Sequence, residues 1–178
     1  MKQISGGICA AKGFKANGIH CGIRKNRTKK DLALIVSDIP AAAAAVYTTN
    51  LVKGAPLKLT REHLSDGYAQ AVICNSGNAN TCNANGLAIA GEMATLLAKE
   101  MKISPTDVVV ASTGVIGQPL SITPIQEGIP ALVEGLGKKS AEAAEGIMTT
   151  DTRLKEVAVE FTVGGRPVIL AVSPRARE

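Results

Sequence analysis

Apolar residues in this chain fall into short runs of strand length and a few one-sided stripes of helix length. Leu32–Val36, Ala71–Cys74 and Val108–Val110 are compact aliphatic runs, which predicts buried strands. Ala41–Thr49 is mixed. Its alanines favour helix, but Val46-Tyr-Thr-Thr49 is β-rich and Pro40 precedes it, so a strand is expected there. Gly6–Gly22 is punctuated by glycine and predicts turns and short edge strands. Gly86–Lys102 carries Ile89, Met93, Leu96, Leu97 and Met101 on one side, the pattern of an amphipathic helix. Thr123-Pro-Ile-Gln126 reads as a capping box with Thr123 as N-cap and proline at the first helical position. The helix should run toward Leu136, with Pro130 bending or interrupting it. Ser140–Glu145 predicts a short capped helix. Glu156–Val163 alternates, Gly164-Gly165 turns and Arg166–Leu170 returns, which is a hairpin signature. This order of elements predicts an α/β (α+β) fold, a sheet with helices packed on its faces.

Three polar corners interrupt this apolar framework. Val108-Val-Val-Ala-Ser-Thr-Gly-Val115 reads as a strand delivering Ser112, Thr113 and Gly114 onto a tight glycine turn. Ala71–Cys74 runs into the amide-rich turn Asn75–Asn80, and Met148–Thr152 precedes the hairpin. Strand ends of this kind are where α/β proteins place backbone N–H groups that hold developing negative charge. Together the corners suggest a site for a small polar molecule handled by threonine chemistry. Each also has a plainer reading. Ser112–Gly114 in isolation is only a turn, Asn75–Asn80 is a brace, and Thr149–Thr152 caps a strand. His20 and His63 have no partner at useful spacing and read as structural or surface residues.

Composition narrows the partners. The chain has 178 residues with 46% hydrophobic and 2% aromatic content, enough for one domain whose core is built from Ala, Val, Ile and Leu. Its formal charge of +5 is concentrated in Arg24–Lys30. Nucleic acid is not the expected partner, because the stacking surface and motifs that accompany such binding are missing. The basic run reads as a solvated loop. Cys9, Cys21, Cys74 and Cys82 show no zinc spacing, so free thiols in a reducing, cytoplasmic setting are expected. No apolar run approaches a membrane span. Gly135–Ser140 mimics part of a P-loop, but Lys139 stands where Ser or Thr is required and no strand precedes it.

Gly6–Gly22, Tyr47-Thr-Thr-Asn-Leu-Val-Lys-Gly-Ala-Pro56, Asn75–Asn80, Ala111–Gly114 and Met148–Thr152 occur in the same order as in the ornithine acetyltransferases, or glutamate N-acetyltransferases, of arginine biosynthesis. The chain resembles that family over nearly its whole length up to about Ile169. Small departures are Ala11, where the family usually has proline, and Asn83-Ala-Asn85 after Asn80. The resemblance implies a fold with the logic of N-terminal-nucleophile hydrolases. A precursor cuts itself before a threonine, whose freed amine then activates its own hydroxyl. Acetyl passes from N-acetylornithine to that hydroxyl and then to glutamate. By motif, Thr113 and Gly114 would form the oxyanion hole and Thr152 would bind the amino-acid substrate. The resemblance implies no metal or bound cofactor, acetyl-CoA serving as co-substrate only in bifunctional members. It also implies an assembly of two α and two β chains.

Past the hairpin the family continues with a Gly-Gly pair, a Lys-Gly-Ser-Gly-Met stretch and the cleaved Ala-Thr. This chain instead reads Ile169-Leu-Ala-Val-Ser-Pro-Arg-Ala-Arg-Glu178. Codons that encode this tail can be chosen so that a shifted frame, starting at the last base of the Leu170 codon, reads Gly-Gly-Ile-Ala-Lys-Gly-Ser-Gly-Met. The expectation is therefore an α-chain domain over residues 1–169 and a frame-shifted tail over 170–178. Such a chain would lack its β-chain partner and the nucleophilic threonine. It would be poorly soluble and inactive alone. Two rival readings are a non-catalytic amino-acid-binding module and a related threonine- or serine-dependent aminopeptidase.

Overall fold

Alternation along one strand separates the two faces of the main sheet. Strand β3 covers Leu32–Ala42. Leu32, Leu34 and Val36 enter one hydrophobic core, while Ala33 and Ile35 point into a second. Successive side chains on a strand take opposite faces, so both cores are served by one run of apolar residues. The structure, a computed structural model, describes residues 1–26 and 28–173. Arg27 of the basic run and tail residues 174–178 lie outside the described residues.

The main sheet has the order β2-β3-β4-β5, with β2 at Phe14–Ile19, β4 at Tyr68–Asn78 and β5 at Val108–Val115. β2–β3 and β3–β4 are antiparallel, whereas β4–β5 is parallel. A parallel pair needs a crossover, supplied here by helix α2, Gly86–Met101. Helix α1 spans Ala55–His63 and α3 spans Thr123–Glu134. The larger core gathers Leu59 of α1, Met93 and Leu97 of α2, and Ile125 and Leu132 of α3 over the leucines of β3. Helix α4, Ser140–Ile147, covers the opposite face through Ala143 against Ala16 and Ala33. Small side chains there let the helix approach the sheet closely. β1 (Lys2–Ile4), β6 (Val157–Val163) and β7 (Arg166–Val172) form a separate antiparallel sheet.

The α/β (α+β) architecture, with helices on sheet faces, is as expected, and so are the α2 stripe and the β6–β7 hairpin. Gly164 and Gly165 take φ of 56° and 77° in that turn. β7 pairs with β6 through Val172, opposite Val157, so regular pairing continues past Ile169.

Several local expectations are corrected. Ala41–Thr49 is not a strand: β3 ends at Ala42, and residues 43–50 form no regular element. Ala42 pairs with Tyr68, the first residue of β4, so beyond that point no neighbouring strand remains to receive the backbone. Pro40 lies in the register shift between Val36 and Ala41, where a residue without an N–H is tolerated. Thr123 is the first helical residue of α3 rather than its cap, and the helix continues through Pro130. Ser140 does not cap α4. Its hydroxyl donates to Glu156 Oε2 at 2.6 Å and accepts the Ile8 N–H at 2.8 Å, joining the two sheets' surroundings. Finally, neither Asn75–Asn78 nor Ser112–Gly114 is a turn. Both belong to strands, which run on through their polar ends.

Candidate functional site

The parallel register places Asn75 beside Ser112, Ser76 beside Thr113 and Gly77 beside Gly114 at the carboxyl ends of β4 and β5. This end of a parallel pair is where open α/β sheets bind ligands. The ladder becomes irregular at Gly77 and Asn78, and Gly77 and Gly114 have φ of 114° and 127°. A Cβ on Gly114 would fall 2.4 Å from the Gly77 carbonyl carbon, and one on Gly77 would fall 2.8 Å from Arg24 Cγ. Backbone meets backbone here because neither residue has a side chain.

A cleft of about 620 Å³ opens over this point, lined among others by Arg24, Gly77, Gly114, Gln118, Thr149 and Thr150. Thr113, next to Gly114, is 1% exposed. Its Oγ1 is buried with no hydrogen-bond partner among the described residues. A buried hydroxyl without a partner costs stability, roughly 1–3 kcal/mol, and a ligand atom or a water that reaches it removes that cost.

The amides of the β4 end brace the cleft. Asn75 is fully buried, donates to the Asn78 carbonyl at 2.9 Å and accepts the Ser112 hydroxyl. Ser76 donates to the Gly146 carbonyl at 2.6 Å, fixing β4 to the end of α4. Asn78 accepts the Asn80 N–H at 2.8 Å and donates to the Gln118 carbonyl at 3.0 Å. Asn80, at φ 48°, donates to the Gly86 carbonyl at 2.8 Å, which sets the start of α2. These side chains are committed to neighbouring backbone, as the bracing role requires.

Arg24 was not legible as a cleft residue. The basic run that contains it reads as a solvated loop, and the structure corrects this for Arg24. Its guanidinium donates to the Met148 carbonyl through Nη2, and its Nε is buried without a partner among the described residues. The cause lies at Asp31, whose carboxylate is fully buried. It accepts the N–H of Cys21 at 2.7 Å, of Gly22 at 3.2 Å and of Arg24 at 2.9 Å. A lone carboxylate at the end of a basic run, directly before an apolar strand, was the available signal. His20, expected to lack a partner, lies with Nδ1 3.0 Å from the Lys29 carbonyl and 3.1 Å from Asp31 Oδ2. Both neighbours are acceptors, so Nδ1 carries the proton. His63 approaches the Val108 carbonyl through Nδ1 at 2.8 Å.

The Met148–Thr152 corner reaches the cleft through Thr149 and Thr150, while Thr152 is exposed and lies outside the lining. Asp151 anchors the corner: it accepts the Thr149 N–H at 3.3 Å and pairs with Lys155 at 2.7 Å. The hydrogen bond from Lys155 holds the Asp151 carboxyl below its ordinary value of 3.8, with partial burial opposing it. Cys21, beside Asp31, has its thiol pushed up to about 12, chiefly by burial and then by the Asp31 charge. Among the described residues, no group of three or more His, Cys, Asp or Glu side chains is placed to hold a metal ion. No helix among them is long and apolar enough to cross a membrane.

The sequence profile of the ArgJ family matches residues 15–173. The arginine biosynthesis bifunctional protein ArgJ of Symbiobacterium thermophilum is 47% identical over 173 residues, covering 96% of this chain and 43% of that protein. The Shouchella clausii protein of the same name is 46% identical over 173 residues, covering 96% of this chain and 41% of its own length. This chain thus spans under half the length of the curated relatives it matches. The crystal structure of the ArgJ protein from Bacillus halodurans superposes with a TM-score of 0.91 at 38% identity, covering 98% of this chain and 93% of that one. The Mycobacterium tuberculosis ornithine acetyltransferase, solved in complex with ornithine, superposes with a TM-score of 0.83 at 36% identity, covering 88% and 86%.

Proposed function

This chain belongs to the ArgJ family, and on that premise we propose that it contributes the oxyanion-stabilising half of an acetyl-transfer site in arginine biosynthesis. The observation that carries this reading is the Thr113 hydroxyl, buried and without a partner among the described residues, next to Gly114, which lines the cleft although Thr113 itself does not. An acetyl group passing through a tetrahedral intermediate develops negative charge on its carbonyl oxygen. Thr113, with the backbone at Gly114, donates to that oxygen. A donor already in place costs no reorganisation at the moment of reaction, which is why such groups are worth about 2.7–4 kcal/mol each.

N-acetylornithine is the donor and glutamate the acceptor in this reading, with acetyl-CoA as an alternative donor in a bifunctional enzyme. The attacking hydroxyl in this reading is a threonine carried by a β chain that completes the assembly. The Met148–Thr152 corner contacts the amino-acid portion of the substrate. Thr149 and Thr150 line the cleft, and Thr152 joins them only if the loop rearranges around substrate. Arg24 adds positive charge to the same wall. The support for a polar amino-acid ligand is this combination of threonines, guanidinium and bare glycine backbone.

Acetyl transfer to glutamate, measured with N-acetylornithine and with acetyl-CoA as donors, tests the proposal. Assembled with the β chain of a family member, the chain should complement an arginine auxotroph and support transfer, and Thr113→Val in that assembly should lose most of it. No transfer by that assembly, or undiminished transfer by the Thr113→Val variant, would overturn the assignment.

A further inference from the structure

A second cleft, between the segment after β3 and helix α1, takes no part in the reaction proposed above. Its volume is about 600 Å³, and Tyr47, Thr48, Thr49, Lys53, Lys58 and Arg61 line it with Leu57. Among the described residues, the lining holds cationic groups and hydroxyls but no carboxylate. Among the described residues, none of Lys53, Lys58 and Arg61 forms an ion pair. Lys58 and Arg61 stand at i and i+3 on α1, a spacing at which like charges on one helix face repel. Lys53 joins them from the preceding loop. The Tyr47 hydroxyl is buried and has no hydrogen-bond partner among the described residues, so a second polar group is held ready without an acceptor among them.

We propose that this cleft binds a phosphate-bearing small molecule. Lys53, Lys58 and Arg61 hold the phosphate oxygens, and the Tyr47 and Thr49 hydroxyls donate to them. The Thr48 hydroxyl accepts the Asn50 N–H at 3.1 Å and keeps its own proton for the same purpose. Three positive charges with no internal counter-charge match a multiply charged oxyanion better than a single carboxylate. The volume falls within the range of small-molecule sites, about 300–1,000 Å³, and leaves room beyond one phosphate. With Tyr47 as its only aromatic lining residue, the cleft lacks the stacking surface that a nucleic-acid strand would need.

Calorimetric titration of the 178-residue chain with inorganic pyrophosphate at low salt tests the site, with citrate as a carboxylate polyanion of comparable charge. Lys58 and Arg61 are exposed on α1, so Lys58→Ala and Arg61→Ala leave packing intact, which circular dichroism and melting temperature check. Pyrophosphate should bind more tightly than citrate, and each single variant should weaken it by about tenfold. Tyr47→Phe should weaken it several-fold at unchanged melting temperature. The proposal fails if the folded wild-type chain does not bind pyrophosphate. It fails equally if citrate binds as well, or if the alanine variants bind like wild type, since the cleft would then be an unspecific cationic surface.

Discussion

Gly77 and Gly114 face each other across the parallel pair so closely that one added methyl group at Gly114 would lie 2.4 Å from the Gly77 carbonyl carbon. Both hold positive φ, so Gly114→Ala meets a backbone clash and an unfavourable dihedral together. Urea unfolding should show a loss of roughly 2–4 kcal/mol. Gly67→Ala is the control: it also sits at positive φ, 80°, but a Cβ there meets nothing within 4 Å. Only the strain should register at that position, about 1 kcal/mol. Equal losses at the two sites would mean that the close approach is not rigid.

Thr113→Val separates catalysis from stability. Valine keeps the shape and removes a hydroxyl that has no partner in the folded chain. Stability should hold or rise slightly, because a desolvated polar group is relieved. In the complete enzyme, kcat for acetyl transfer should fall roughly 10²–10³-fold. A variant that lost stability and kept its rate would show that the hydroxyl serves packing.

Asp31→Ala should release the loop that carries Arg24. The carboxylate accepts the N–H groups of Cys21, Gly22 and Arg24, and some of these would then face water only part of the time. A loss of roughly 3 kcal/mol is expected. Hydrogen exchange should quicken at residues 21–24 before it does so in β3. Uniform quickening across the sheet would point instead to general destabilisation.

The cysteines should differ in reactivity. Cys82 is exposed, whereas burial and the Asp31 carboxylate push the Cys21 thiol up to about 12. Because the thiolate is the nucleophile, alkylation at pH 8 followed by mass spectrometry should modify Cys82 first and Cys21 last. The linkage sign follows from a raised folded-state value. As pH climbs above 9.0, the unfolded chain loses the Cys21 proton before the folded one does, so this contribution declines between about 9 and 12. Cys21→Ala should therefore lose less stability over that window than the parent chain does.

Acid should loosen the Met148–Thr152 corner. Asp151 is held below its ordinary 3.8, first by the Lys155 hydrogen bond. Its contribution is present above that value and is lost as pH falls through the depressed folded-state value. Asp151→Asn should abolish that part of the acid response, measured by hydrogen exchange at Thr149 below pH 4.

Local periodicity carried the sequence reading where an element depends on its own residues. The α2 stripe from Ile89 to Met101 and the Gly164-Gly165 turn are local patterns, and the fold preserves them. Ala41–Thr49 failed as a strand because a strand needs a neighbour, and β4 begins only at Tyr68. Ser140 and Thr123 looked like caps because their spacing is right, but Ser140 is taken up by Glu156 and Ile8, which are distant in the chain. The candidates Thr113 and Gly114 came from an ordered set of motifs, and the fold sets both near the end of β5. That Thr149 and Thr150 line the cleft while Thr152 is exposed depends on how Asp151 pins an irregular loop, and no repeating pattern encodes that.

By itself, the order of residues determined the mixed α/β class, the buried aliphatic strands and the identity of the hydroxyl and glycine at the end of β5. Those follow from side-chain period, turn chemistry and motif order, all of which are properties of neighbouring residues. Only the tertiary structure decided that Gly77 and Gly114 touch and that the Thr113 hydroxyl is left without a partner. It alone swings Arg24 out of a basic loop into the cleft, because a buried carboxylate binds backbone wherever packing brings the two together.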